Sequence, residues 1–164
     1  TTRRGGLALT RGVYDHDGEL SVFGKPFAGS AGDVVIMGIV EPDDPVDLRH
    51  LDTFRARGIN VVSIGPMTRN GRAPAGRTVP GEADIHLGRM CDAGALFALP
   101  GLNRRVCPTS GVLVNQLFWM LCLDIAEEIM RRTGDVPGVY LTGAVEGGID
   151  HLYRVNAIYD RRGY

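Results

Sequence analysis

Hydrophobic positions along the 164-residue chain fall into two kinds of run. VVIMGIV (34–40) and INVVSIG (59–65) are short, rich in β-branched residues and almost without polar positions, the pattern of strands covered on both faces. Between them, Val46, Leu48, Leu51 and Phe54 recur near helical spacing. Arg55 and Arg57 fall in the last turn and Gly58 follows as a stop, which predicts a helix over 46–57. Strand, helix, strand in that order argues for parallel strands joined by a right-handed crossover. ADIHLG (83–88) predicts a third strand, GVYLTGA (138–144) a final one, and LALTRGVY (7–14) a short early one. Residues 1–31 are otherwise irregular, with Asp17-Gly18, Gly24, Pro26 and Gly29 marking turns or a hairpin around LSVF.

The longest helical pattern covers about 110–132, with Thr109 or Ser110 suited to the N-cap and Gly134 to the stop. Its first half is apolar nearly all round (Val112, Leu113, Val114, Leu117, Phe118, Trp119, Leu121), and its second half ends in Glu127, Glu128, Arg131 and Arg132. Such a helix either lies central in its domain or packs on another chain. A last helix is expected over 149–162. RNGRAPAGRTVPGE (69–82) reads as a mobile surface loop with solvated arginines.

Composition narrows the class. With 44% hydrophobic and 23% charged residues, 164 residues suit a single domain, 1–164. A net charge of −1 gives no electrostatic case for nucleic acid or an anionic membrane as partner. The most apolar stretch is broken by Asn115-Gln116 and Asp124, and it is shorter than the roughly 20 residues of a membrane span. Cys91, Cys107 and Cys122 lack paired spacing and read as free thiols; with no leader pattern at Thr1, a cytoplasmic location is expected. No cofactor or metal is predicted: Asp15-His16-Asp17 has no second cluster to complete a site, His86 and Cys91 share no recognised spacing, and His50 sits on a charged helix.

Together these segments resemble the sugar isomerase (SIS) domain, in its phosphoheptose-isomerase-like branch. The resemblance covers about residues 30–162. It is carried by the order of Gly32-Asp33, Ala56-Arg57-Gly58, Cys91-Asp92-Ala93, Leu99-Pro100-Gly101, Thr109-Ser110 and Gly147-Gly148-Ile149-Asp150-His151. It implies an α/β, doubly wound, mainly parallel sheet flanked by helices (a Rossmann-type three-layer sandwich) in a homodimer or homotetramer with shared sites. The implied function is binding of a sugar or sugar-phosphate derivative, with aldose–ketose isomerisation by proton transfer. A catalytically silent oligomeric partner or ligand sensor is the alternative. Two features depart from the family. Ile39-Val40-Glu41-Pro42-Asp43-Asp44 stands where a Ser-x-Ser-Gly type loop is expected, and the usual first helix, strand and Gly-His-Ser loop have no counterpart. The second departure suggests a processed product, one chain of a two-chain enzyme, or a reduced variant.

Three places carry candidate chemistry. Carboxylates at Glu41, Asp43 and Asp44 would repel a phosphate at about 4 Å by several kcal/mol. That loop therefore suits a cation, a metal-bound ligand or sugar hydroxyls and amines, or else it is a turn in which Asp43 or Asp44 caps the next helix. Thr109 and Ser110 offer hydroxyls and free N–H groups at the positive end of a helix, an anion site or a plain N-cap. His151, with Glu146 beside the Gly147-Gly148 turn, has the chemistry of an acid/base pair for moving a proton between sugar carbons, or is a surface or interface histidine. Thr1 is a further candidate, as an N-terminal nucleophile.

Overall fold

The computed structural model describes residues 13–16, 19–22, 25–88, 95–103, 105–134, 137 and 144–162. Thr1, residues 7–12, Asp17, Cys91-Asp92-Ala93 and 138–143 lie outside the described residues. The chain divides into two compact units, Gly29–Met120, and Thr1–Ala28 with Leu121–Tyr164.

In the second of these units, β1 (Val13–His16), β2 (Glu19–Val22) and β3 (Lys25–Pro26) form an antiparallel meander in chain order. The Phe27 N–H extends it by donating to the Leu20 carbonyl at 2.9 Å.

The 29–120 unit is a small mixed α/β domain. Its elements begin with β4 (Val34–Gly38), α1 (Pro45–Ala56), β5 (Asn60–Gly65), α2 (Val79–Glu82) and β6 (Ile85–Gly88). Strands β4, β5 and β6 pair in parallel in that order, with Val35 opposite Val61, Met37 opposite Ser63 and Ser63 opposite His86. Val35, Met37, Val61, Ser63 and Ile64 are all buried, so the apolar runs follow from a sheet with both faces engaged. The helix α1 packs against β5, and α2 against β5 and β6.

Local chemistry fixes the ends of α1. Pro45 sits in the first turn, and Asp44 is the N-cap: its Oδ1 accepts from the Val46 and Asp47 N–H groups at 2.8 and 3.2 Å. At the other end Gly58 has φ 68° and its N–H donates to the Arg55 carbonyl, while the Ile59 N–H reaches back to Phe54. That pair of bonds is a Schellman motif, and its customary apolar contact is met by Phe54 and Ile59, both buried.

Next come β7 (Ala95–Ala98) and β8 (Arg105–Pro108), an antiparallel pair that the apolar patterning does not reveal. Helix α3 (Ser110–Thr133) follows, and its first half belongs to this unit. Helix α4 (Gly148–Arg162) belongs to the other. Among the described residues no helix is long and apolar enough to cross a membrane.

Candidate functional site

In parallel α/β sheets, ligands meet the carboxyl ends of the strands, because loops and helix N-termini converge there. Here the carboxyl end of β4 approaches the first turns of α3. An ideal Cβ on Gly38, the last β4 residue, would lie 2.9 Å from Val114 Cγ1, so the glycine sets how near the helix comes. Beside this contact opens a cavity of about 300 Å³, lined by Ile36, Gly38, Ile64, Gly111, Val114, Asn115 and Phe118. A Cβ at Gly111 would meet nothing within 4 Å, so that residue faces open space. The lining is apolar apart from the Asn115 amide, and the volume is at the small end of ligand pockets, roughly 300–1,000 Å³.

Thr109 and Ser110 flank this cavity at the helix start. The Thr109 carbonyl accepts from the Leu113 N–H at 3.1 Å, which puts Thr109 at the capping position and leaves the first-turn N–H groups without intrahelical acceptors. Ser110 is only 8% exposed. Just before them Cys107, within β8, is exposed and holds φ 62°.

The acidic loop after β4 is engaged by groups that its sequence does not announce. Arg69 reaches Glu41 at 2.9 Å and Asp43 at 3.5 Å, and the Pro42 carbonyl accepts from the Val79 N–H at 2.8 Å. Asp44 is spent on the α1 cap, so Arg69 offsets one of the loop's three negative charges and stitches the loop to the segment after β5. Asp43 Oδ1 is buried without a hydrogen-bond partner among the described residues. The arginines of 69–82, read from composition as solvated, are paired at two positions. Besides Arg69, Arg77 bonds Asp52 (2.5 Å) and Glu82 (2.7 Å), and Arg55 joins the same cluster through Glu82. Arg77, the closest partner of both carboxylates, holds Asp52 and Glu82 below the usual carboxylate range.

Two further groups have displaced acidities. Burial, with Asp44 nearby, pushes the Asp47 carboxyl up from 3.8 to about 6, against a smaller opposing pull from His50. On the sheet, Ser63 Oγ and His86 Nδ1 lie 2.8 Å apart, Ser63 fully buried. Whichever tautomer is present, His86 Nε2 is buried with no hydrogen bond among the described residues, and burial lowers the imidazole pKa. The Gly65 backbone opposes this shift, favouring the charged form by less than burial disfavours it.

Glu146 and His151 belong to the other unit. Glu146 is exposed in the turn before α4, where Gly147 has φ 71°. His151 is half-buried on the first turn of α4, its N–H donating to the Gly147 carbonyl at 3.0 Å. Among the described residues, no three His, Cys, Asp or Glu side chains are grouped to hold a metal ion.

The cavity was not legible as a site. Its one sequence signal is a pair of glycines, Gly38 interrupting an apolar strand at a close approach and Gly111 leaving open space near the helix start. Asn70-Gly71 was the signal for Arg69, because a tight turn there folds the chain back. A scan against protein-family models and a search of curated proteins return no match to the chain.

Proposed function

We propose that the 29–120 unit binds a carbohydrate derivative where β4 ends and α3 begins. The observation that supports this reading is the cavity joining the carboxyl end of β4 to the first turns of a 24-residue helix. Its size suits a single sugar ring rather than a dinucleotide. The apolar face of the ring would lie on Phe118 and Val114, and the Asn115 amide would take a hydroxyl. A phosphate or other anionic substituent would meet Thr109, Ser110 and the positive helix end. On this reading Glu41, Asp43 and Asp44 of the β4–α1 loop would take sugar hydroxyls or an amine. The finer architecture that goes with this reading is a doubly wound SIS-like sandwich. The catalytic extension, which rests on the sequence resemblance alone, is aldose–ketose isomerisation with Glu146 and His151 as the acid/base pair.

Calorimetric titration with phosphosugars, neutral sugars and inorganic phosphate tests the binding site. Gly111→Leu fills the cavity from a position with free space, so it should abolish binding while the fold is retained. The pair Thr109→Ala and Ser110→Ala should weaken phosphosugars about tenfold and leave neutral sugars unchanged. Undiminished binding by Gly111→Leu sinks the reading. If Glu146→Gln and His151→Asn leave turnover of a bound phosphosugar unchanged, the isomerase extension goes too.

A second reading has its own support. Val112, Trp119, Leu123 and Met130 form an exposed apolar stripe along α3, which favours a silent oligomeric partner or sensor.

A further inference from the structure

We propose that Asn70 is a site of spontaneous modification, converting to aspartate or isoaspartate, and that the conversion releases the acidic loop after β4. Asn70-Gly71 is the one Asn-Gly pair in the sequence; Asn60, Asn103, Asn115 and Asn156 precede Val, Arg, Gln and Ala. Both residues are exposed at the tip of a two-residue turn, with φ 52° and 75°. The turn is held by the Arg69 N–H to Arg72 carbonyl bond (2.8 Å) and its reciprocal (3.1 Å). Among the described residues neither the Asn70 carboxamide nor the Gly71 N–H has a hydrogen-bond partner.

The chemistry needs only water. The Gly71 backbone nitrogen, losing its proton, attacks Asn70 Cγ; the new C–N bond closes a five-membered succinimide. The Cγ–Nδ2 bond breaks, and ammonia leaves with that proton. Water then opens the ring at either carbonyl, giving aspartate or isoaspartate, with nothing oxidised or reduced. Gly71 has no Cβ to obstruct the attack. The peptide must rotate out of the turn first, and a surface tip tied by two bonds opens at little cost.

The consequence follows from the neighbours. A new carboxylate arises next to Arg69, the cation that bridges Glu41 and Asp43. It competes for that guanidinium, and isoaspartate also lengthens the backbone by one atom, which a two-residue turn does not accommodate. Asp43, with Oδ1 already buried and unbonded, then loses its counter-charge, so 41–44 loosens.

The test is incubation of the full chain and of Asn70→Gly in mildly alkaline buffer, followed by peptide mass mapping and hydrogen exchange. The peptide holding residue 70 should gain about 1 Da, split into two products and convert at least about tenfold faster than the peptides holding the other four asparagines. Amides of 40–47 should exchange faster in the converted protein, and Asn70→Asp should show the charge-driven part of that change without incubation. Asn70→Gly keeps a turn-compatible residue and should show neither effect. Conversion no faster than at the other asparagines overturns the site. Conversion with unchanged exchange over 40–47 overturns its coupling to the loop.

Discussion

Asp47 shows how one side chain sets a pH dependence. Its carboxyl is raised from 3.8 to about 6, so between those values the folded chain holds a proton that the unfolded chain has released. Its contribution is therefore most favourable below 3.8 and is lost as pH rises through 6. In a dry site the displacement would be worth roughly 3 kcal/mol; at a half-buried position solvent screening reduces it to about 1 kcal/mol. The ionised group also gains up to about 0.5 kcal/mol from the N-terminus of α1. Desolvation wins, and Asp47→Asn should stabilise the fold at neutral pH by roughly 0.5 kcal/mol and flatten the slope between pH 4 and 6, read by denaturant titration. His86 acts in the opposite sense. Its pKa is lowered from 6.5, so stability is full above 6.5 and falls as acid protonates the unfolded chain first. His86→Gln should remove that fall. Glycine positions separate in the same way. At Gly65 a Cβ would lie 2.2 Å from Ile39 Cγ1 and 2.7 Å from its carbonyl oxygen, so Gly65→Ala should cost about 3 kcal/mol. At Gly111 the added carbon meets nothing, and helix propensity makes Ala there neutral or stabilising by up to about 1 kcal/mol.

At the scale of elements, the two ends of α1 and the loop before it carry different amounts of stability. Asp44→Ala removes an acceptor shared by two N–H groups and should cost about 1 kcal/mol. Arg69→Ala breaks two half-exposed ion pairs and should cost less than about 1 kcal/mol, yet speed exchange over 40–47. A larger loss for Arg69→Ala than for Asp44→Ala would mean that the ion cluster, rather than the cap, anchors the loop. The contrast also explains what was legible. The ends of α1 are written locally, in Asp44-Pro45 and Gly58, so the expected 46–57 and the observed Pro45–Ala56 differ by one residue at each end. Strands β4 and β5 were readable because burial leaves an apolar run, whereas β6 has no buried residue and was marked only by its short ADIHLG pattern. The hairpin of β7 and β8 was missed although its Leu99-Pro100-Gly101-Leu102 turn is explicit. Gly101 has φ 82° and the Leu102 N–H bonds the Leu99 carbonyl, a type II turn that Pro-Gly specifies. The partners of Arg69 had no such local mark. They meet because loops after two neighbouring parallel strands converge, which pattern alone does not place.

For the whole molecule, the exposed stripe of α3 sets the test of the oligomeric reading. Val112 and Leu123 are 70% and 61% exposed, and Trp119 and Met130 are exposed with them. Their spacing is symmetric about residue 121: Val112 and Met130 stand nine residues to either side, Trp119 and Leu123 two. An antiparallel copy of the helix would set Val112 against Met130 and Trp119 against Leu123, twice over, as an isologous two-fold interface requires. Such a pairing of the two helices and their surroundings would bury on the order of 1,000 Å², about the least that a stable dimer needs. The charges at the end of α3 do not oppose it. Arg131 and Arg132 are both held by Glu128 on their own helix at 2.7 and 2.5 Å. Sedimentation of the purified chain should therefore give a dimer or a multiple of it. Val112→Glu with Leu123→Glu should give monomers with unchanged helix content, since both residues are exposed on α3. A wild-type chain that sediments as a monomer at high concentration would remove the two-fold pairing, and with it the support for an oligomeric partner.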